Sequence, residues 1–183
     1  GLPPVTSVFV GGGTPSLVDP DGLLAVVEAV PLAPGAEVTV ECNPDDLTVE
    51  LAERYAAGGV TRLSIGVQSM VPEVLATLGR EHDPASVERA VAAARRAGLD
   101  LNVDLVYGLP KQTLAKFERT IEHVLEMAPE RVSAFSYAHV PWLKGHQRKI
   151  AVEDLPQAET KAALLASAVR MLTAAGYVPI GMD

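Results

Sequence analysis

Short runs rich in β-branched and other apolar residues recur along the 183-residue chain, and each gives way to glycine or polar residues and then to a helical pattern. No other feature constrains the fold as much, because successive βα units bury their apolar faces around a parallel sheet with helices packed on it. The expected strands are Thr6 to Val10, Glu37 to Cys42, Arg62 to Val67, Leu101 to Tyr107 and Arg131 to Tyr137, with a sixth candidate at Tyr177 to Gly181. All are short and apolar enough to be buried on both faces.

The helices between them carry their own punctuation. Asp19-Pro20 and Asp83-Pro84 each set a capping carboxylate before a proline at the first helical position. An alanine-rich helix from Pro84 to Ala97 stops at Gly98, Thr113 caps a helix to about Met127, and Pro156 opens one that runs to Ala175 and closes at Gly176. A short helix lies between Gln68 and Arg80. No low-complexity tract or linker interrupts this pattern, so one α/β domain over residues 1–183 is expected.

Charge and cysteine content narrow the function classes. A net charge of −8 argues against a nucleic-acid partner, which needs a surplus of Lys and Arg on some face; Lys144 to Lys149 is the only basic cluster. No apolar run approaches the roughly 20 residues of a membrane span, and no charged-then-apolar leader opens the chain, so a cytoplasmic protein is expected. The single cysteine, Cys42, excludes an internal disulfide and any metal or cluster site that takes several thiolates from this chain.

Polar groups gather where the strands end. Gly11 to Thr14 follow the first, Glu41 and Asn43 close the second, Gln68 follows the third, Asp104 and Tyr107 lie in the fourth, and Tyr137 and His139 follow the fifth. In an open doubly wound sheet only the strands beside the switch point need such groups, so their presence at every strand favours a barrel or partial barrel.

The stretch Gly11-Gly12-Gly13-Thr14-Pro15-Ser16 reads either as a tight turn or as a ligand loop. It lacks the Gly-Lys-Ser/Thr ending of a phosphate loop, and Pro15 and Ser16 spoil a dinucleotide fingerprint, which ranks a nicotinamide-dependent dehydrogenase low. Bare backbone offers C=O to an ammonium and N–H to a carboxylate, which suits an amino-acid-like ligand. Glu41 can bind an amine or a ribose diol, or pair at the sheet edge; Cys42 beside it alternates to the other face as a small buried hydrophobe. Asp104, alone in Leu101-Asn102-Val103-Asp104-Leu105-Val106, must be paired or used. Arg80 reads as a surface ion pair or a ligand clamp. Tyr137 and Trp142 beside Lys144, His146, Arg148 and Lys149 either form a solvated loop or hold a flat, acidic ligand.

Taken together, GGGTPS, VECNP, RLSIGVQS, LGREH, NVDLVYGLPKQT and SAFSYAHVPWLKGHQRKI resemble the oxygen-independent coproporphyrinogen III oxidase (dehydrogenase) family of radical S-adenosylmethionine enzymes, in order from about Val8 to Asp183. The resemblance implies a partial (β/α) TIM-like barrel in which a [4Fe-4S] cluster cleaves S-adenosylmethionine. The resulting radical converts propionates of a porphyrinogen substrate to vinyl groups for haem biosynthesis, and an electron donor serves the cluster. It also implies that Gly12, Gly13 and Thr14 contact the methionine end of S-adenosylmethionine, with Glu41, Gln68, Arg80, Asp104 and Ala138 as its remaining contacts in this span. The haem-chaperone branch shares the glycine loop and barrel strands, but the segment from Tyr137 to Ile150 looks like the dehydrogenase branch.

The family places a CxxxCxxC motif after the first barrel strand, ahead of the glycine loop, and this chain contains neither. The cluster's cysteine ligands are thus absent, and the chain is expected to be an internal piece of a longer enzyme, inactive by itself, with a bare sheet edge. A haem-chaperone-like or cluster-free S-adenosylmethionine- or porphyrin-binding relative without catalysis is the alternative.

Overall fold

The computed structural model describes residues 3–79 and 83–181. Five strands, β1 (Val5–Val10), β2 (Leu32–Cys42), β3 (Arg62–Gln68), β4 (Asp100–Tyr107) and β5 (Arg131–Ser136), lie in one parallel sheet in the order 1-2-3-4-5. Among the described residues six α-helices punctuate them: α1 (Pro20–Glu28), α2 (Val49–Ala57), α3 (Pro72–Thr77), α4 (Pro84–Arg96), α5 (Leu114–Met127) and α6 (Ala158–Ala174). The capping logic holds locally. Asp19 accepts from the Gly22 N–H at 3.0 Å, and Thr113 from the Lys116 N–H at 3.3 Å.

Four elements depart from the expected boundaries or existence. β2 begins five residues early, at Leu32, because Val5 pairs with Leu32 and Ser7 with Glu37; the intervening Pro34-Gly35 bulges out of the ladder and hides the strand from a propensity reading. α2 was not anticipated, although Thr48 caps it by accepting from the Leu51 N–H at 3.1 Å. α6 starts at Ala158 rather than Pro156, since Gln157 is still extended. Residues 177–181 form no strand: Gly176 (φ +95°) ends α6, the Tyr177 N–H caps it on the Leu172 carbonyl at 3.0 Å, and Val178 and Ile180 stay exposed.

The chain divides into two compact units, the first comprising Gly1–Val67, Ala85–Val103 and Pro129–Arg131, the second Gln68–Pro84, Asp104–Ala128 and Val132–Asp183. In the first, Val38, Val40, Leu63, Ile65, Leu101 and Val103 are essentially inaccessible, as are Tyr55 on α2 and Val87, Ala90 and Ala94 on α4. Alternate residues of the same strands are polar: Thr39 and Ser64 are buried, and Asn102 donates to Ser64 Oγ at 2.8 Å. The outer strands are less covered than β3, and Phe9 and Phe135 remain exposed, against the expectation of burial on both faces.

Charged residues on and beside the strands form two sets of ion pairs in the first unit. Arg62 pairs with Glu37 and, at 3.3 Å, with Asp100; Arg131 grips both Glu37 oxygens at 3.2 and 3.3 Å. Glu130 accepts from Arg95 at 2.6 Å and from the Leu101 N–H at 2.8 Å. Arg62 is 9% exposed, and a guanidinium so buried needs these carboxylates.

In the second unit Val71, Val74 and Leu109 form a core with Leu78, Val106 and Tyr137 against it. Phe117, Ile121 and Val124 of α5 and Leu164 of α6 are fully buried, and Glu118 ties the two helices by accepting from Ser167 at 2.6 Å and Arg170 at 2.8 Å. Among the described residues no helix is long and apolar enough to cross a membrane.

Partial burial pulls the Glu37 carboxyl upward, but the hydrogen bonds and charges of Arg131 and Arg62 outweigh it and leave its pKa below the ordinary value of 4.5. A carboxyl depressed in the folded state contributes stability that is present above its unfolded pKa and fades as pH falls through the folded value. In the full-length protein, Glu37→Gln is therefore expected to lower Tm most at neutral pH, with the gap from wild type closing below about pH 4.5. Thermal scans at several pH values check this; a gap that persists unchanged in acid contradicts it.

Candidate functional site

Each strand carries a candidate residue near its C-terminal end or passes the chain to a segment that does. After β1, Gly12 (φ +88°) and Gly13 (φ +67°) take left-handed conformations that a side chain would strain, with open space where each Cβ would stand. Gly11 is bare for a different reason. A Cβ there would lie 2.7 Å from the Phe9 ring and 2.8 Å from Glu41 Cδ.

That crowding is what brings the glycine loop and β2 together. The Gly12 N–H donates to Glu41 Oε2 at 2.9 Å. Thr14 precedes a 3-10 turn, Pro15–Leu17, that starts with the Leu17 N–H on the Thr14 carbonyl at 3.1 Å. Ser16, which sequence reasoning passed over, is buried and anchors the loop: its hydroxyl donates to Asp46 Oδ2 at 3.0 Å and accepts from the Asn43 N–H at 3.4 Å, while Asn43 Nδ2 reaches the same aspartate at 3.1 Å.

In the second unit Gln68 has φ +64°, a left-handed conformation that costs an L-residue about 1–2 kcal/mol. Buried hydroxyls hold the chain beyond it. Ser69 Oγ and Thr120 Oγ1 are 3.3 Å apart, the Met70 N–H donates to Thr120 at 3.1 Å and the Val71 N–H to Ser69 at 3.2 Å. Strain held in place by its surroundings keeps Gln68 a candidate for a role at this strand end.

Asp104 is half-buried on β4, two residues beyond Asn102 and so on the same strand face. Past β4, Gln112 is buried and accepts from the Gly108 and Leu109 N–H groups at 2.7 and 3.2 Å while donating to the Val106 carbonyl at 3.1 Å. Ala138 is exposed just past β5. Its neighbour His139 has a buried Nδ1 without a hydrogen-bond partner among the described residues, as does the Tyr137 hydroxyl. Arg80 lies outside the described residues, as does the side chain of His146. Arg148 Nε donates to the Pro141 carbonyl at 3.2 Å, and Trp142 is exposed. His123 is exposed on α5, with its Nδ1 2.8 Å from the Arg119 carbonyl.

Cys42 behaves as read from its alternation. It is 3% exposed, and burial, with Asp46 and Glu41 nearby, pushes its thiol up to about 12. Among the described residues no group of three or more His, Cys, Asp or Glu side chains is placed to hold a metal ion.

A family model described as the radical SAM superfamily matches residues 2–124. The chain belongs to the radical SAM superfamily. It is 38% identical over 178 residues to the oxygen-independent coproporphyrinogen III oxidase of Paracoccus denitrificans, covering 94% of this chain and 40% of the relative. It is 36% identical over 184 residues to the Escherichia coli protein of the same name, covering 98% of this chain and 40% of that one. The solved structure of coproporphyrinogen III oxidase (HemN) from Escherichia coli superimposes with a TM-score of 0.90 at 36% identity, over 98% of this chain and 42% of that one. The archaeal Elp3 from Methanocaldococcus infernus shares the fold alone, with a TM-score of 0.65 at 16% identity. The fold class is therefore the expected α/β partial (β/α) barrel of the radical SAM type, and the chain spans about two-fifths of the length of the curated relatives it matches.

The superfamily implies S-adenosylmethionine and a [4Fe-4S] cluster. The residues of the first unit fit the first: left-handed glycines with open space and a carboxylate held against a backbone N–H. They do not fit the second, because the one thiol in these 183 residues is buried and protonated.

Two outcomes follow. Cys42 in the native protein is expected to resist alkylation at neutral pH and to react fully once unfolded, as timed thiol labelling will read. Gln68→Gly removes the backbone strain, so Tm is expected to hold or rise by a few degrees, about 1 kcal/mol, while S-adenosylmethionine binding measured by calorimetry weakens. A drop in Tm with unchanged binding would make Gln68 structural.

Proposed function

We propose that this chain is the S-adenosylmethionine-binding core of an oxygen-independent coproporphyrinogen III oxidase, which oxidatively decarboxylates propionates of coproporphyrinogen III to vinyl groups and yields protoporphyrinogen IX for haem biosynthesis. The observation that carries the reading is the match, over 98% of the chain, to a protein bearing that name at 36% identity. A cytoplasmic setting and an electron donor belong to the same reading, and the cluster's thiolates would come from residues outside these 183.

The chemistry S-adenosylmethionine supplies when bound is one-electron cleavage to a hydrogen-abstracting adenosyl radical. This chain's part is to bind and orient it. Gly12, Gly13 and Thr14 offer main-chain donors and acceptors to the methionine ammonium and carboxylate, where the left-handed backbone leaves no side chain in the way. Glu41, already fixed by the Gly12 N–H, presents a carboxylate as acceptor. Gln68, Arg80, Asp104 and Ala138 are assigned as its further contacts, position by position, from the resemblance.

The test uses the full-length protein with its cluster reconstituted anaerobically. With a one-electron reductant, S-adenosylmethionine and coproporphyrinogen III, it is expected to form 5′-deoxyadenosine, carbon dioxide and protoporphyrinogen IX, read by chromatography. Glu41→Gln and Asp104→Asn should each weaken S-adenosylmethionine binding about tenfold or more, the worth of a hydrogen bond to a charged group. No cleavage of S-adenosylmethionine under these conditions, or tight haem binding without turnover, would replace this reading with that of a non-catalytic relative.

A further inference from the structure

We infer that Gln147 is a positioning residue whose buried amide holds the backbone on both sides of His139 so that Ala138 is offered to S-adenosylmethionine, a role that rests on the ligand assignment proposed above. Gln147 sits in the 3-10 turn Gly145–Lys149 and is 3% exposed. Its Oε1 accepts from the Val140 N–H at 2.5 Å and its Nε2 donates to the Ala138 carbonyl at 3.1 Å. One side chain thus spans the segment in which the orphaned His139 Nδ1 also lies.

The rest of the segment is held from the other side. Lys161, reaching from α6, donates to the Tyr137 carbonyl at 2.9 Å, and the Tyr137 N–H donates to the Tyr107 carbonyl at 2.8 Å. The stem of Lys161 passes where a Cβ on Gly108 would stand, 2.6 Å from its Cε, so the glycine after β4 makes room for the lysine that holds the exit of β5. Tyr137 N–H, Tyr137 C=O, Ala138 C=O and Val140 N–H are therefore all fixed by groups outside the segment.

The chemistry of the position is narrow. Bridging an N–H and a C=O with one uncharged side chain takes a carboxamide, which carries an acceptor and a donor together. Asparagine is one methylene shorter, and a charged side chain would be costly at this depth. A ligand meeting a segment already fixed does not have to order it on binding, and the saving appears as affinity.

The experiment compares wild type, Gln147→Glu and Gln147→Met in the full-length, cluster-loaded protein. Gln147→Glu keeps the acceptor for Val140 and turns a carboxylate oxygen against the Ala138 carbonyl; Gln147→Met keeps the length and removes both bonds. Equilibrium dialysis against S-adenosylmethionine is expected to show a Kd raised about tenfold or more in both. The loss should fall on the KM for S-adenosylmethionine, with kcat kept at saturation. Unchanged Kd with a lowered Tm would overturn the inference by making Gln147 structural only.

A second measurement needs no variant. Hydrogen exchange of the wild-type Val140 amide is expected to be slow before S-adenosylmethionine is added; rapid exchange that slows only on adding it would mean the ligand builds the segment, and would overturn the inference even if the variants fail to fold. If wild type itself binds no S-adenosylmethionine, the ligand assignment fails instead.

Discussion

The two-residue period of the strands is the constraint on which everything else rests. Val38, Val40 and Cys42, then Leu63, Ile65 and Val67, then Leu101, Val103 and Leu105 put apolar side chains on one face of their strands, nearly all of them without exposure. The residues that alternate with them, Thr39 and Glu41, Ser64 and Gln68, Asn102 and Asp104, are polar, with Gly66 the one bare position. A slip of one residue in any strand would exchange the two sets, burying carboxylates among aliphatic groups, so register is fixed by the cost of the wrong one. The polar set survives burial because it is internally paired, as Asn102 with Ser64 and Arg62 with Glu37 and Asp100.

Where the strands stop, the period no longer controls the chain, and side chains from elsewhere in the sequence take over. Ser16, Asn43 and Asp46 hold the glycine loop, Ser69 and Thr120 hold the turn after Gln68, and Gln112 and Gln147 each brace a strand exit with a single amide. All these residues are small or neutral apart from Asp46, and most are buried. Such groups can satisfy backbone without competing with a ligand for charge. Loops are ordinarily the soft part of an α/β fold. Here the bracing makes them fit to carry the binding groups the proposed function requires.

What the sequence revealed and what it hid divide along the same line. Local signals read well: the aspartate and threonine caps, the glycine stops and the β-branched runs are each decided by neighbours a few residues away. The start of β2 was hidden because Pro34 and Gly35 spoil the propensity while the pairing resumes beyond the bulge. Candidate residues Gly12, Glu41, Gln68 and Asp104 were visible as polar or bare positions ending apolar runs. Their braces were not, because Gln112, Gln147 and Lys161 look like ordinary surface residues until the fold brings them to main-chain atoms as many as 24 positions away.

Glu41 and Cys42 show how far one physical rule can carry a functional assignment. They are consecutive, both polarisable and both plausible ligands by type, yet the period sends one toward the Gly12 N–H and the other into the core. Burial then raises the thiol's pKa until it carries no charge at neutral pH, so it has neither the access nor the thiolate that metal binding or nucleophilic chemistry needs. The carboxylate keeps an exposed hydrogen-bonded position. That asymmetry favours an organic, amine-bearing ligand over a metal at this strand end, in keeping with the S-adenosylmethionine site proposed above.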